Sequence, residues 1–177
     1  SHTYALPGTP ATHIDGIGDS LMNIILLHGS WHGAWCWHKV VPHLKAQGHR
    51  VEVPDLPAHG RNWRMARGRT TLGAMARTVC TILDSLDEPA LLVAHSRGGI
   101  VASTVAEMRP AKLHGTVYLA AYMLRNSERV ADFFRKDRDS LVPRSLRISR
   151  LTLTDRLAEE AYAAALYADC SDADVEL

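Results

Sequence analysis

The run "LLVAHSRGGIV" is the most suggestive chemistry in the chain, because an apolar stretch stops at His95-Ser96-Arg97 and resumes after Gly98 and Gly99. A serine placed where a buried strand turns sharply into a helix is held in strained backbone geometry with its hydroxyl exposed, and only small neighbours allow that turn. Ala94 and Gly98 stand two residues to either side of Ser96, so "AHSRG" fits the pattern G-x-S-x-G with alanine at the first glycine position. The helix beginning here turns free N–H groups and the positive end of its dipole toward the serine, which suits developing negative charge. The same serine could instead do no more than cap that helix.

A second stretch adds to the first. In "LLHGSWHGAW" the glycine after His28 lets the following backbone approach a bound carbonyl closely. The backbone N–H groups of Ser30 and Arg97 then become the candidate pair of oxyanion donors, each of a kind that contributes roughly 3 kcal/mol to a transition state. Gly29, Trp31, His95, Met123 and Leu124 are the candidate pocket residues. His28, His32 and His59 are read as braces of their loops. Trp31, Trp35 and Trp37 are read as core and pocket wall.

These groups need a scaffold, and the surrounding pattern supplies one. "NIILLHG" is a short apolar run closed by glycine, as in a strand buried on both faces. Trp37, Val40, Val41 and Leu44 recur at helical spacing, with Pro42 expected to kink the helix. "RVEVPD" reads as a second strand. Leu72, Met75, Val79, Ile82, Leu83 and Leu86 form an apolar helical stripe that Thr70 or Thr71 can cap. "ALLVAH" is a third strand, "GGIVASTVAEM" a helix with Ile100, Val101, Thr104, Val105 and Met108 on one side, and "GTVYLAAY" a fourth strand. Such alternation implies an α/β fold with a mostly parallel sheet covered by helices on both faces.

Residues 1–20 read as a leader or tag remnant, 21–124 as the core, and 125–177 as a mainly helical lid. Helices are expected at Glu128 to Asp139 and Asp155 to Ala168, with the mixed stretch "RSLRISRLTL" between them. The lid is expected over the carboxyl edge of the sheet, where ligands of open α/β sheets bind.

The chain's 177 residues carry 20 Lys and Arg against 19 Asp and Glu, without a basic stripe, which argues against nucleic acid as a partner. No apolar run reaches the roughly 20 residues of a membrane span, and no signal peptide is evident. The three cysteines lack metal-site spacing and read as buried free thiols in a reducing, cytoplasmic setting. No metal site is expected from that spacing, and a small neutral or weakly polar ligand fits the charge balance.

The blocks "LLHGSWHGAWCWHKVVPHLKAQGHRVEVPDL", "LLVAHSRGG", "YLAAYML" and "LYADCSDADVEL" resemble the α/β-hydrolase superfamily, in the branch of plant methylesterases, hydroxynitrile lyases and bacterial esterases. The resemblance implies a cofactor-free Ser-His-Asp enzyme with a helical cap, whose partner is a small ester. Ser96 would be its nucleophile, and Ser30 and Arg97 its oxyanion positions. Gly29 and His95 match the esterase form, where the lyases carry threonine and glutamate. The loop "DLPAHGRN" departs from the plant "DLAASG" and leaves a plant-hormone ester unsupported.

In this fold the acid and the histidine follow the serine in the chain. Downstream of Ser96 the sequence offers only His114, expected at the wrong edge of the sheet, and acids of the lid: Asp132, Asp137, Asp139, Asp155 and Asp169. Glu128 is the one acid near a strand tip. The expectation is therefore a hydrolase whose C-terminal strands, acid and base lie outside this chain, with "GTVYLAAY" left as an apolar edge for that fragment or a second copy. A C–C-cleaving lyase and a non-catalytic ligand-binding pseudoenzyme are the alternatives.

Overall fold

The computed structural model describes residues 21–64, 70–152 and 154–175, and the expected leader at 1–20 lies outside them. Four parallel strands form the sheet: β1 (Asn23–Leu27), β2 (Arg50–Glu52), β3 (Ala90–His95) and β4 (Leu113–Leu119), in the order β2-β1-β3-β4. Leu27 stands opposite Ala94 and Ala94 opposite Tyr118, with one register shift between Ala90 and Leu91 where β3 meets β4.

The apolar runs form a sheet covered on both sides because successive side chains point to opposite faces. Ile25, Leu27, Leu92 and Ala94 pack with Val79 and Leu83 of α2 (Leu72–Asp84) and Val101 and Val105 of α3 (Gly98–Met108). Ile24, Leu26 and Val51 face the other way, onto Trp37 and the flank of α1 (Val40–Ala46). Thr71 caps α2 by accepting from the Ala74 N–H at 3.1 Å.

Several expectations shift in detail. Pro42 falls in the first turn of α1, where its missing N–H costs no helical hydrogen bond, so the helix need not kink there. Leu72 and Met108, expected on buried stripes, are 42% and 36% exposed, because Ala76 and Cys80, and Ala102, occupy the packed faces. Trp35 and Cys170 are exposed rather than buried.

After Arg125 the elements shorten: α4 (Val130–Lys136), α5 (Val142–Ser145), α6 (Tyr162–Leu166) and α7 (Asp172–Val175). Between α5 and α6 lies an antiparallel hairpin, β5 (Leu146–Ser149) with β6 (Thr154–Leu157), so the helix expected from Asp155 begins as strand. Leu157 and Ala158 are the buried apolar residues of this segment. Among the described residues no helix is long and apolar enough to cross a membrane.

Candidate active site

The chain leaves β1 toward β2 on one side and returns past β1 to β3 on the other, so the connections diverge between β1 and β3. A crevice opens at such a divergence, beyond the carboxyl ends of the strands. His28-Gly29-Ser30 leaves β1 there, and Ser96 leaves β3.

Ser96 has φ of +54°, a left-handed conformation that costs a non-glycine residue about 1–3 kcal/mol unless its surroundings impose it. Three backbone hydrogen bonds do so. The Ser96 N–H donates to Leu119 O at 3.4 Å, and the Ser96 carbonyl accepts from Gly99 N at 3.1 Å and Tyr122 N at 3.0 Å. β4 ends at Leu119, earlier than "GTVYLAAY" suggested, because Ala120 turns with φ of +43° and frees the Tyr122 N–H for that bond. The hydroxyl-bearing residue is half-buried, neither sealed in the core nor loose in solvent.

Close approach explains the glycines. A Cβ on Gly29 would stand 2.8 Å from Ser96 Cβ and 3.3 Å from Ser96 Oγ. One on Gly98 would stand 2.8 Å from the His28 carbonyl oxygen. The two loops therefore meet backbone to backbone.

His28 is buried, and its two nitrogens are both engaged. Its Nε2 accepts from the Leu56 N–H at 3.1 Å, which leaves Nδ1–H to donate to the Gly29 carbonyl at 2.9 Å. Burial lowers its pKa to about 4, so the ring is neutral as this pattern requires. The consequence reaches the next residue, since the Gly29 carbonyl and the Ser30 N–H belong to one planar trans peptide. By holding the oxygen, His28 fixes the direction of the N–H on the opposite side. His32 does the same one peptide later: Nδ1–H donates to the Ser30 carbonyl at 2.7 Å, and Nε2 accepts from the Tyr167 hydroxyl. Among the described residues neither the Ser30 nor the Arg97 backbone N–H has a hydrogen-bond partner.

Ser30, Trp31, Ser96 and Arg97 line a cavity of about 490 Å³, closed on the other side by Tyr122, Val130, Phe133, Phe134, Val142 and Leu166, with Lys136 and Asp137 at its charged wall. Of the pocket residues expected from sequence, Trp31 lines this space. Gly29 and His95 lie beneath it, His95 with its Nδ1 beside the Gly29 backbone and its pKa lowered by burial. Met123 is 65% exposed, and neither it nor Leu124 lines the cavity; Tyr122, the residue before, takes that place.

Sequence reasoning also missed Asp55, which ties two loops under the site by accepting from Ala34 N at 2.7 Å and Arg61 N at 3.1 Å. The acid of "PDLPAHG", directly after Pro54 and five residues before Gly60, was its available signal. Nothing in the sequence announced the Tyr167–His32 bond, whose partners stand 135 residues apart.

Among the described residues no imidazole or carboxylate hydrogen-bonds the Ser96 hydroxyl. His114 is the second residue of β4, five residues before the strand end beside Ser96, roughly 16 Å along a strand rising 3.3 Å per residue. Glu128 is exposed and accepts from the Arg125 N–H at 2.8 Å, outside the cavity lining.

Residues 24–176 match the Alpha/beta hydrolase family. Methylesterase 9 of Arabidopsis thaliana is 43% identical over 105 residues, 58% of this chain and 41% of that protein. Methylesterase 7 of the same plant is 42% identical over 115 residues, 63% of this chain and 44% of that protein. Among solved structures, a mutant of polyneuridine aldehyde esterase superposes with a TM-score of 0.75 at 25% identity, covering 89% of this chain and 66% of the other. The chain spans less than half the length of these curated relatives. With the strand order, the left-handed serine and the glycine-lined approach to it, the match across nearly the whole described sequence establishes that the chain belongs to the alpha/beta hydrolase family.

Proposed function

We propose that this protein is a serine hydrolase of small carboxylic esters, with an acyl-enzyme formed on Ser96 and the developing oxyanion held by the N–H groups of Ser30 and Arg97. The observation that carries this reading is the left-handed Ser96 lining one cavity with Ser30 and Arg97, whose backbone N–H groups have no partner among the described residues, against a wall of aromatic side chains. The segment 125–177 is read as the lid. The methylesterases at about 40% identity support ester chemistry, and Gly29 and His95 keep the esterase form.

The reaction starts with the ester carbonyl oxygen seated between the two N–H groups and its carbon beside Ser96 Oγ. Attack forms a tetrahedral oxyanion, expulsion of the alcohol leaves the acyl-enzyme, and water releases the acid. The groups on this chain supply the part of catalysis that survives without a triad, roughly 10³–10⁴-fold over water. The imidazole that takes the Ser96 proton, and its acid, come from polypeptide other than these residues, as further sequence or a partner piece. β4 offers that piece a place to pair, since it is the sheet's edge and Val117 and Leu119 are 42% and 49% exposed. All three cysteines are free, which fits work in a reducing compartment such as the cytoplasm.

Protein isolated in its native form should release a stoichiometric burst of p-nitrophenol from a short-chain aryl ester, with the acyl group found on Ser96 by mass spectrometry. Ser96→Ala should abolish both, and a burst that survives the substitution would overturn the assignment. The observation that no base among the described residues contacts Ser96 favours a second reading, ligand binding without turnover. That reading predicts saturable ester binding with no acylation in the same sample.

A further inference from the structure

Arg97 contributes its backbone to the candidate oxyanion site, yet its side chain has a different situation. The guanidinium donates from Nη2 to His59 Nε2 at 2.5 Å, and His59 in turn donates from Nδ1 to the Pro57 carbonyl at 3.0 Å. This pattern makes the imidazole a neutral acceptor, in keeping with a pKa lowered mainly by burial. The cation is thus met by a neutral group. Among the described residues no carboxylate lies within ion-pair distance of Arg97; Asp155 acts on it only from farther away and is exposed.

A guanidinium carries five N–H donors, and among the described residues one of these is used. Leaving a largely desolvated cation with unmatched donors is costly, whereas a carboxylate meeting it in a two-pronged pair is among the stronger polar contacts available to proteins. Arg97 lines the cavity next to Ser96, where the charged residues are Arg97, Lys136 and Asp137, an excess of one positive charge. An acid opposite Arg97 would be expected if the site existed for structure alone.

We propose that the Arg97 guanidinium, presented by His59, is a subsite for a free carboxylate on the substrate, so that the preferred esters are half-esters of short dicarboxylic acids. The inference rests on the hydrolase reading and names its substrate class. His59 is a positioning residue: as a neutral acceptor it holds the guanidinium without neutralising it.

The test compares monomethyl glutarate with methyl 4-carbamoylbutanoate, an uncharged isostere, by NMR titration near neutral pH. The native protein should bind the anion at least about tenfold more tightly than the amide. Arg97→Met should bring the two affinities within about threefold of each other, and Arg97→Lys should retain part of the preference because a point charge replaces the planar fork. Arg61→Met, which removes a cation lining a different depression, should leave the ratio as it is. Equal affinities in the native protein, or a preference that survives Arg97→Met and disappears in Lys136→Met, would overturn the proposal. If Arg97→Met fails to fold, the native-protein ratio and Arg97→Lys still decide it. Ser96 acylation distinguishes the two levels: an acylated protein with equal affinities loses the subsite and keeps the hydrolase, whereas a preference without acylation does the reverse.

Discussion

The sheet with its three long connections and the segment after Arg125 are built on different principles. In the first, strands buried on both faces are clamped between α1 and the α2–α3 pair, and residues such as Ile25, Leu27, Val79, Leu83 and Leu92 are fully buried. In the second, helices of four to seven residues and a two-stranded hairpin leave Phe133, Leu141, Ile148 and Leu151 exposed. The first region can impose strain, and it does: Ser96, Trp31 and Ala120 all have positive φ at the carboxyl edge of the sheet. The second closes over that edge through a few polar contacts, notably Tyr167 to His32 and Asp174 to Lys39. The strained geometry of the candidate site therefore belongs to the region that cannot rearrange cheaply, and the Phe133–Phe134 wall of the cavity to the region that can.

The sharpest way to break this comparison is to remove an equal volume from each region. Leu83→Ala empties a fully buried site between α2 and the sheet and should destabilise the protein by about 2–5 kcal/mol, read from urea unfolding. Leu151→Ala, at a residue 95% exposed, should change stability by less than about 0.5 kcal/mol. Comparable losses at the two positions would mean that the outer segment carries a core of its own.

Acid should act on the inner region through His28. Its folded pKa of about 4 lies below its unfolded value of 6.5, so between these values the unfolded chain binds more protons. The stabilisation from keeping the ring neutral is complete above pH 6.5 and is lost as pH falls toward 4; burial lowers His59 and His95 in the same direction. For His28 alone the full span is about 3 kcal/mol. Melting temperature should fall between pH 7.5 and pH 5, and His28→Gln should flatten that slope. An equally steep slope in the variant would place the titrating group elsewhere.

How much of this was legible in the sequence follows the same division. Ile24–Leu27 and Leu91–Ala94 read as strands because both faces are buried and the runs are uniformly apolar. Ser96 read as a turn residue because Ala94, Gly98 and Gly99 leave room only for backbone. The end of β4 was misjudged because "LAAY" is apolar on either side of Ala120, and the turn there is dictated by the Ser96 carbonyl, a partner remote in sequence. Beyond Arg125 neither helical nor strand periodicity is clean, since both β5 and β6 are largely exposed and carry little apolar alternation. The aromatic wall of the cavity was missed for that reason: Phe133 and Phe134 belong to a seven-residue helix that buries no residue completely.

A smaller loss than at Leu83 or His28 is expected at the contact that joins the two regions. Tyr167→Phe removes the hydroxyl that donates to His32 Nε2 and leaves the ring, which packs beside the imidazole with centroids 5.7 Å apart. The lost hydrogen bond is worth about 1 kcal/mol, and it should be lost locally. Hydrogen exchange should quicken at Tyr162–Leu166 while β1, β3 and α2 keep their protection, because His32 retains its bond to the Ser30 carbonyl and its stacking on Trp35. If the Ser30 loop also loses protection, the outer segment does more than cover the cavity. It would then hold the candidate oxyanion donor in place, and the division between an inner region that sets geometry and an outer one that shapes the cavity would fail at His32.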